Sequence, residues 1–595
     1  MNILGLSIGE HCSASLIIDG KVKGASYEER FHRKKLYGGF PYKTAEYLLT
    51  SNGITKEQVD LVAVVNEMTS GLEFSVIQRL TSFSVSDYVR EAHEYYKPIL
   101  LEGKKRKKLE VFKDKIDKNV FPPSIQKKII QEGETLANTQ NIRKDLIYDF
   151  LGRKNVKIEF VNHHDAHALY GFLSAPKDCG NSLIFTADSF GDGCNSNVYK
   201  TSSGKLECIY SSDKQNLGRL FRNITLLMGM KPYQHEYKVM GLAPYASNEY
   251  SEKVKKILSK YMCGFNGDWV FNEKPKDNYF TFQKEFEGIR FDNIAGGLQS
   301  YFEDRILEWF EWFLKKEKDF DCVIFSGGLA MNVKVNLKLD NLAKKYNKRF
   351  FVAPSADDHS HSIASAFFPL MNKNLEFTKN TQPGAVDNLS LGYSFEKKDD
   401  SKIESWAKKN KWKIINFSKE NAAKLLKEKK ILGLCHGAAE FGARALGFRS
   451  IIADPSDFKT VRRINIAIKN RDFWMPFAPS ILEGKENDYI KIREIATHRF
   501  MAAAADTTKK GGISIEAAVH PYDQTARPQI VSKDFNLHFY NIIEAFGKLT
   551  GTYALLNTSL NLHGYPIVNN AEDLIFVLEN SELDGCILKN SIILR

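Results

Sequence analysis

At 595 residues the chain is too long for one hydrophobic core and calls for two or more domains. Hydrophobic residues make up 43% and charged residues 26%, a balance that excludes a disordered or fibrous protein. No apolar run is long enough to span a bilayer, and the first residues lack the basic start of a signal peptide, so no membrane partner is expected. Eight cysteines (12, 179, 194, 208, 263, 322, 435 and 586) form no C-x-x-C pair. That pattern argues against a disulfide framework or a thiolate zinc site and for a reducing cytoplasm. The net charge of +12 is partly local: Lys104-Lys-Arg-Lys-Lys108 precedes Lys113, Lys115, Lys118, Lys127 and Lys128. Such a run reads either as a solvated face or as a surface for a polyanion, nucleic acid above all.

In chain order, Asn2 to Ser7 reads as a strand, Ala14 to Ile18 as a second and Lys21 to Tyr27 as a third, with Asp19-Gly20 as a tight turn. Residues from about 70 to 150 are helical in pattern, charged and poor in glycine, and read as an insertion between core elements. A helix carrying His163 and His167 follows. Buried strands are then expected at Leu183–Ala187, Val323–Phe325 and Phe350–Val352. They end in Asp188-Ser-Phe-Gly-Asp-Gly193, Ser326-Gly-Gly328 and Pro354-Ser-Ala-Asp-Asp-His359. Strand, small-residue turn, helix is the layout that puts a ligand at the carboxyl edge of a sheet. Asn372 to Leu391 is the best linker, and Ile431 to Cys435 restarts an α/β pattern.

Three clusters carry chemistry. His163 and His167 are four apart, so on a helix both imidazoles share one face and can address one metal ion. Packing histidines are the plain alternative. An acid from Asp357-Asp358 would complete two imidazoles and a carboxylate; spacing does not choose between them, and His359 and His361 lie nearby. His11, in the turn of the first hairpin, is either a surface histidine or, if it faces the ligand cleft, of the type that acts as a general base on a hydroxyl. Beyond the linker, Arg444, Arg449, Lys469, Arg471 and Arg527 suggest as a set a small dianionic substrate such as an acyl phosphate, salt bridges on a helical surface being the plain alternative for any one of them. Asn557-Thr-Ser-Leu-Asn561 offers amide and hydroxyl donors at a strand end.

These motifs together resemble the O-carbamoyltransferases of the nodulation-factor (NodU) and tobramycin-carbamoylating type over nearly the whole length. The marks are His11, Glu29-Arg-Phe-His-Arg-Lys-Lys35, His163-His-Asp-Ala-His167, Lys238-Val-Met-Gly-Leu-Ala-Pro244 and Ser326-Gly-Gly-Leu-Ala-Met-Asn332. Glu440-Phe-Gly-Ala-Arg-Ala-Leu-Gly-Phe-Arg449, Pro476-Phe-Ala-Pro479, Tyr522-Asp-Gln-Thr-Ala-Arg527 and Asn557-Thr-Ser-Leu-Asn561 continue the series. The resemblance implies an α/β protein: an actin-like, sugar-kinase-like ATPase fold with a duplicated α/β core over 1–380, then a YrdC-like α/β domain over 390–595.

It also implies a reaction. The second domain would make carbamoyl-adenylate from carbamoyl phosphate and ATP, with Mg2+ accompanying the ATP, and the first would transfer the carbamoyl group to an acceptor hydroxyl. By the same resemblance, His163, His167 and Asp358 would bind a divalent metal, iron being the expected one. His11 and Lys35 would be catalytic, and Asp188, Gly191, Gly193, Gly327, Gly328 and Asn332 would hold nucleotide. Arg444, Arg449, Lys469, Arg471, Arg527, Asn557 and Ser559 would take carbamoyl phosphate and ATP. Departures are Cys12 for an acid, Ser189, Ser360 and Ala364 for glycines, and Ala443 for a proline. The basic run points to a phosphorylated or polymeric acceptor, such as a hydroxymethylated pyrimidine in DNA or as a nucleotide. The alternatives are a small sugar or antibiotic hydroxyl, or a non-catalytic nucleotide- and nucleic-acid-binding protein on the same fold. A homodimer is among the expected assemblies.

Overall fold

A computed structural model describes residues 1–68, 70–372 and 374–595; Lys373, within the expected linker, lies outside the described residues. The chain forms two compact units. One comprises Met1–His32 and Leu36–Asp387, the other Arg33–Lys35 and Asn388–Arg595.

The first unit is built on two sheets of one design. Strands β1 (Asn2–Ser7), β2 (Ser13–Ile18), β3 (Lys21–Tyr27), β4 (Leu61–Val65) and β5 (Lys157–Val161) lie in the order β3-β2-β1-β4-β5. β1 and β2 pair antiparallel, as do β2 and β3, while β4 and β5 add in parallel. The second sheet consists of β6 (Ser182–Gly191), β7 (Cys194–Lys200), β8 (Glu207–Ser212), β9 (Cys322–Ser326) and β10 (Arg349–Val352), in the order β10-β9-β6-β7-β8. Its pairing repeats that of the first: two antiparallel partners on one side, two parallel on the other. This repetition is the duplicated α/β core of the actin-like fold.

The central strands are apolar at successive positions because helices cover both of their faces. Leu183, Ile184 and Phe185 are fully buried. The Phe185 ring stacks on Phe310 at 3.7 Å and meets Trp309 edge-on at 5.0 Å. Burying such a ring contributes about 2 kcal/mol. In each half the fifth strand leads into a helix: β5 into His163–Ser174, and β10, through the turn holding Asp358, into His361–Phe367. The second of these helices crosses β1 so closely that a Cβ on Gly5 would sit 2.0 Å from the Ser362 carbonyl oxygen. Glycine is required there.

The segment from 70 to 150 is inserted between the paired strands β4 and β5, as expected, but it packs into the core instead of standing apart from it. Leu72, Val76, Phe83, Tyr88, Phe112, Ile142 and Leu146 share one buried cluster with Leu4, Leu6 and Leu16 of the first sheet. Half of the ten residues of its basic run are paired with carboxylates. Lys108 is buried, 2.7 Å from Glu91, while Lys104, Lys107, Lys115 and Lys128 each lie beside a carboxylate.

The second unit carries an eight-stranded mixed sheet. Its strand order is Lys413–Asn416, Ser591–Leu594, Gly585–Ile587, Leu432–Cys435, Arg449–Ala453, Ala554–Ser559, Ala478–Leu482, Gln529–Val531. Two separate apolar clusters, one around Leu556, Leu574 and Leu578 and one around Leu426, Phe539 and Leu555, pack with it. Among the described residues no helix is long and apolar enough to cross a membrane.

Candidate metal centre and its surroundings

The helix His163–Ser174 starts where Asn162 accepts from the backbone N–H groups of His164 and Asp165, an N-cap that ends β5 and begins the turn. Nearly every residue of the helix is buried, so its two facing imidazoles are held inside the protein. Asp192 accepts the backbone N–H of His163 at 2.8 Å and those of Glu67 and Met68 at 2.9 and 2.8 Å. The His163 ring lies against Gly191, where a Cβ would come within 2.2 Å of it. That close approach explains a glycine in the Asp188 loop.

Asp358 arrives from the second half. Its Oδ1 is 3.3 Å from His167 Nε2 and 3.9 Å from His163 Nε2, and its Oδ2 is 3.7 Å from His11 Nε2. His361 joins them: its ring centroid is 4.0 Å from that of His167 and 4.5 Å from that of His163. One ligand atom from each of His163, His167, Asp358 and His361 lies within 4.8 Å of the others. Three imidazoles and a carboxylate suit a borderline divalent ion. Both ring nitrogens of His361 and the Nε2 of His163 are buried without a hydrogen bond, a cost that an ion in their midst would remove. The residues fit a metal.

The electrostatics differ between the imidazoles. Burial, then the charges of His167 and His163, push the His361 imidazole well below its ordinary pKa, so it stays neutral and able to ligate. Burial also favours a neutral His167, but the carboxylates of Asp188 and Asp358 outweigh this and push it up to about 9, so an ion must displace its proton to bind there. Asp188 is 3.5 Å from His167 and accepts the Gly328 N–H at 2.8 Å. Burial opposes its charge, yet His167 and that N–H hold it well below the usual carboxylate range.

Asp357 serves elsewhere. It accepts from the His359 N–H, stands 3.2 Å from the His359 ring and 3.3 Å from the Tyr27 hydroxyl. His359 stacks on Tyr27 at 3.8 Å and meets His11 edge-on at 5.1 Å. His164 points into the core, 2.9 Å from Thr186. Gly193 and Gly327 adopt φ of 88° and 92°, conformations that only glycine takes without strain. Asn332 is engaged in capping the helix Val333–Lys345 and in an amide pair with Gln299, rather than left open for a nucleotide.

In the second unit Lys35, Lys469 and Arg471 gather. Burial, then the charges of Arg471 and Lys35, bring the Lys469 ammonium well below its ordinary pKa. Its Nζ donates to Ser559 Oγ at 3.2 Å and to the Asn561 side-chain oxygen at 2.6 Å. Arg444 and Arg527 are half-buried. Two members of the expected substrate set are placed otherwise. Arg449 is fully buried, donating to the carbonyls of His436, Phe448, Tyr393, Gly437 and Asn569. Asn557 is 1% exposed and donates to Ala445, Ser480 and Gln529. Both belong to the strand interior, where a short polar motif reads the same as one at an open edge.

Sequence reasoning left His361 outside the ligand set. Its signal is the Asp358-x-x-His361 spacing, which places both groups at the start of one short helix. It also missed Asn66, which meets His163 from the end of β4.

The carbamoyltransferase N-terminus family matches residues 2–367, and the carbamoyltransferase C-terminus family matches residues 423–595. The uncharacterized protein MJ1051 of Methanocaldococcus jannaschii is 28% identical over 99% of each chain. Nodulation protein NolNO of Sinorhizobium fredii is 25% identical over 98% of this chain and 78% of its own. The 3'-hydroxymethylcephem-O-carbamoyltransferase of Amycolatopsis lactamdurans is 24% identical over 48% of this chain and 51% of its own. With both domain families matched in order around a histidine-rich centre, the chain belongs to the carbamoyltransferase family and is an enzyme of that class.

Proposed function

We propose that this enzyme forms carbamoyl-adenylate from carbamoyl phosphate and ATP in its second unit and transfers the carbamoyl group to an acceptor hydroxyl in its first. The observation that carries the transfer step is His11 beside the cluster, with its Nε2 3.7 Å from Asp358. An imidazole takes the proton of the attacking hydroxyl, a carbon–oxygen bond forms at the carbamoyl carbon, and AMP departs with the electron pair of the broken bond. His163, His167, Asp358 and His361 would hold a divalent ion, which supplies Lewis-acid stabilisation of developing oxygen charge. Asp188 and the loop glycines at 191, 193, 327 and 328 would border the nucleotide, Gly193 and Gly327 shaping the loops with backbone conformations that only glycine takes without strain. Lys35, Lys469, Arg471, Arg444, Arg527 and Ser559 would receive carbamoyl phosphate and the ATP phosphates.

The acceptor is best read as a small phosphorylated molecule. A polymer reading depended on the basic run, and the pairing of Lys104, Lys107, Lys108, Lys115 and Lys128 with carboxylates weakens that support. The test is AMP release from ATP that depends on carbamoyl phosphate, with a carbamoyl mass gain on the acceptor and His163→Ala as control. Absence of AMP under every acceptor would refute the adenylate route.

A further inference from the structure

Next to the Asp188 loop the first unit carries two guanidinium groups that the transfer chemistry leaves without a task. The helix Leu217–Leu227 is tied to that loop by Gln215, whose amide donates to the Asp188 carbonyl at 3.2 Å and accepts the Gly218 N–H at 3.2 Å. Its first turn lies on the loop itself: a Cβ on Gly218 would stand 3.1 Å from the Ser189 Cα. Arg219 and Arg222, three residues apart, share a face of this helix.

Arg219 lies with its guanidinium carbon 4.9 Å from the centre of the Phe190 ring. Phe190 is 49% exposed, two residues after the half-buried aspartate that contacts His167. Arg222 donates to the Tyr233 hydroxyl at 2.6 Å. Tyr233 has φ of 64°, a strained conformation for a bulky side chain and one that tends to persist where function requires it. Its ring lies between Arg222 at 5.3 Å and Arg79 at 4.7 Å.

The three arginines differ in their counter-charges. Arg79 is held by Glu91 at 2.9 Å and Glu10 at 3.3 Å. Among the described residues, neither Arg219 nor Arg222 has a carboxylate within ion-pair distance, although both are half-buried. Burial and the charge of Arg222 bring the Arg219 pKa down from its ordinary value, whereas Tyr233, Tyr96 and the more distant charge of Glu91 outweigh burial and raise that of Arg222. Two such forks on one helix face match the geometry of a phosphate. An exposed aromatic ring beside them matches a flat ring that stacks.

We propose that Arg219 and Arg222 form the phosphate subsite of the acceptor and that Phe190 stacks on its ring, the acceptor being a hydroxylated nucleoside monophosphate in class. The inference rests on the carbamoyl-transfer reading for what happens next, but not for the binding itself. Delivery of the acceptor's hydroxyl to the cluster would follow from the loop shared by Phe190, Asp188 and Gly191.

Calorimetric binding without ATP or carbamoyl phosphate tests it. The probes are 5-hydroxymethyl-2'-deoxycytidine 5'-monophosphate, its nucleoside, AMP, and an oligonucleotide carrying the same base. The intact enzyme should bind the monophosphate at least about tenfold more tightly than the nucleoside. The pair of substitutions Arg219→Gln and Arg222→Gln should abolish that preference, and Arg219→Lys with Arg222→Lys should restore part of it. Equal binding of nucleotide and nucleoside, or an unchanged preference in the Gln pair, would overturn the proposal. So would an equal loss for AMP, which would assign the arginines to the nucleotide co-substrate, or tighter binding of the oligonucleotide. Phosphate-selective binding without AMP release would leave the subsite standing and remove the adenylate reading; the reverse result would remove only the subsite.

Discussion

The Nδ1 of His163 stands 2.9 Å from the side-chain oxygen of Asn66. With an amide oxygen as acceptor, Nδ1 carries the proton and Nε2 presents its lone pair toward Asp358. Asn66 is itself held by Arg143, which donates to its carbonyl at 2.5 Å and to that of Val65 at 2.9 Å. A partner on the far nitrogen of a ligating histidine fixes its tautomer and ring orientation. Asn66→Ala should therefore weaken divalent-metal binding by roughly 10–100-fold while the fold is kept. Chelator competition followed by metal analysis reads the change; unaltered affinity would mean that His163 does not ligate.

The division of labour between Asp357 and Asp358 gives a second expectation. Asp358→Asn should lose the ion, while Asp357→Asn should keep it and disturb only the Tyr27–His359 stack. His361→Ala should lower metal content as His163→Ala does, because both imidazoles face the same point. Metal-to-protein ratios of the purified variants decide this. Full occupancy in His361→Ala would make that residue a bystander.

Much of this centre was legible before any coordinates. The i, i+4 histidines declared a shared helix face, and the apolar runs at 183, 323 and 350 declared buried strands with functional turns at their ends. What spacing left open was decided by tertiary contacts. Asp357 and Asp358 are adjacent, and only the capping of the His359 N–H by Asp357 separates their tasks. The stretch from 70 to 150 looked detached because its helices are short and highly charged. Some of those charges are interior, and a charged residue buried with its partner is indistinguishable in sequence from one in water.

One such interior group makes stability depend on pH. Glu91 is buried, 2.9 Å from Arg79 and 2.7 Å from Lys108. Burial opposes its charge, but the two cations outweigh it and lower its pKa from 4.5 to about 2. The unfolded chain therefore takes up this proton first as pH falls, so the stabilisation is complete above about 4.5 and lost progressively toward 2. The loss is about 3 kcal/mol. Glu91→Gln should be less stable than the parent near neutrality by about 3–5 kcal/mol, since two buried cations lose their counter-charge. The difference should shrink as pH falls from 4.5 toward 2. Denaturant unfolding at a series of pH values checks both, and a constant gap would rule out Glu91 as the titrating group.

Arg449 and Lys469 should respond differently to truncation, though both are buried cations of the second unit. The Arg449 guanidinium reaches five backbone carbonyls and stacks 4.4 Å over Phe395. Arg449→Ala would leave those acceptors without donors, each costing about 1–3 kcal/mol before relaxation, so the unit should unfold at a markedly lower temperature. Lys469 donates to the side chains and backbone carbonyls of Ser559 and Asn561, two residues against the five that Arg449 reaches, and lies among other cations, so its removal also relieves repulsion. Lys469→Met should therefore melt close to the parent while weakening carbamoyl-phosphate binding, read by calorimetry. If Arg449→Ala melted normally and lost only substrate affinity, its place would be the substrate site, and the carbonyl network would not be what holds that strand.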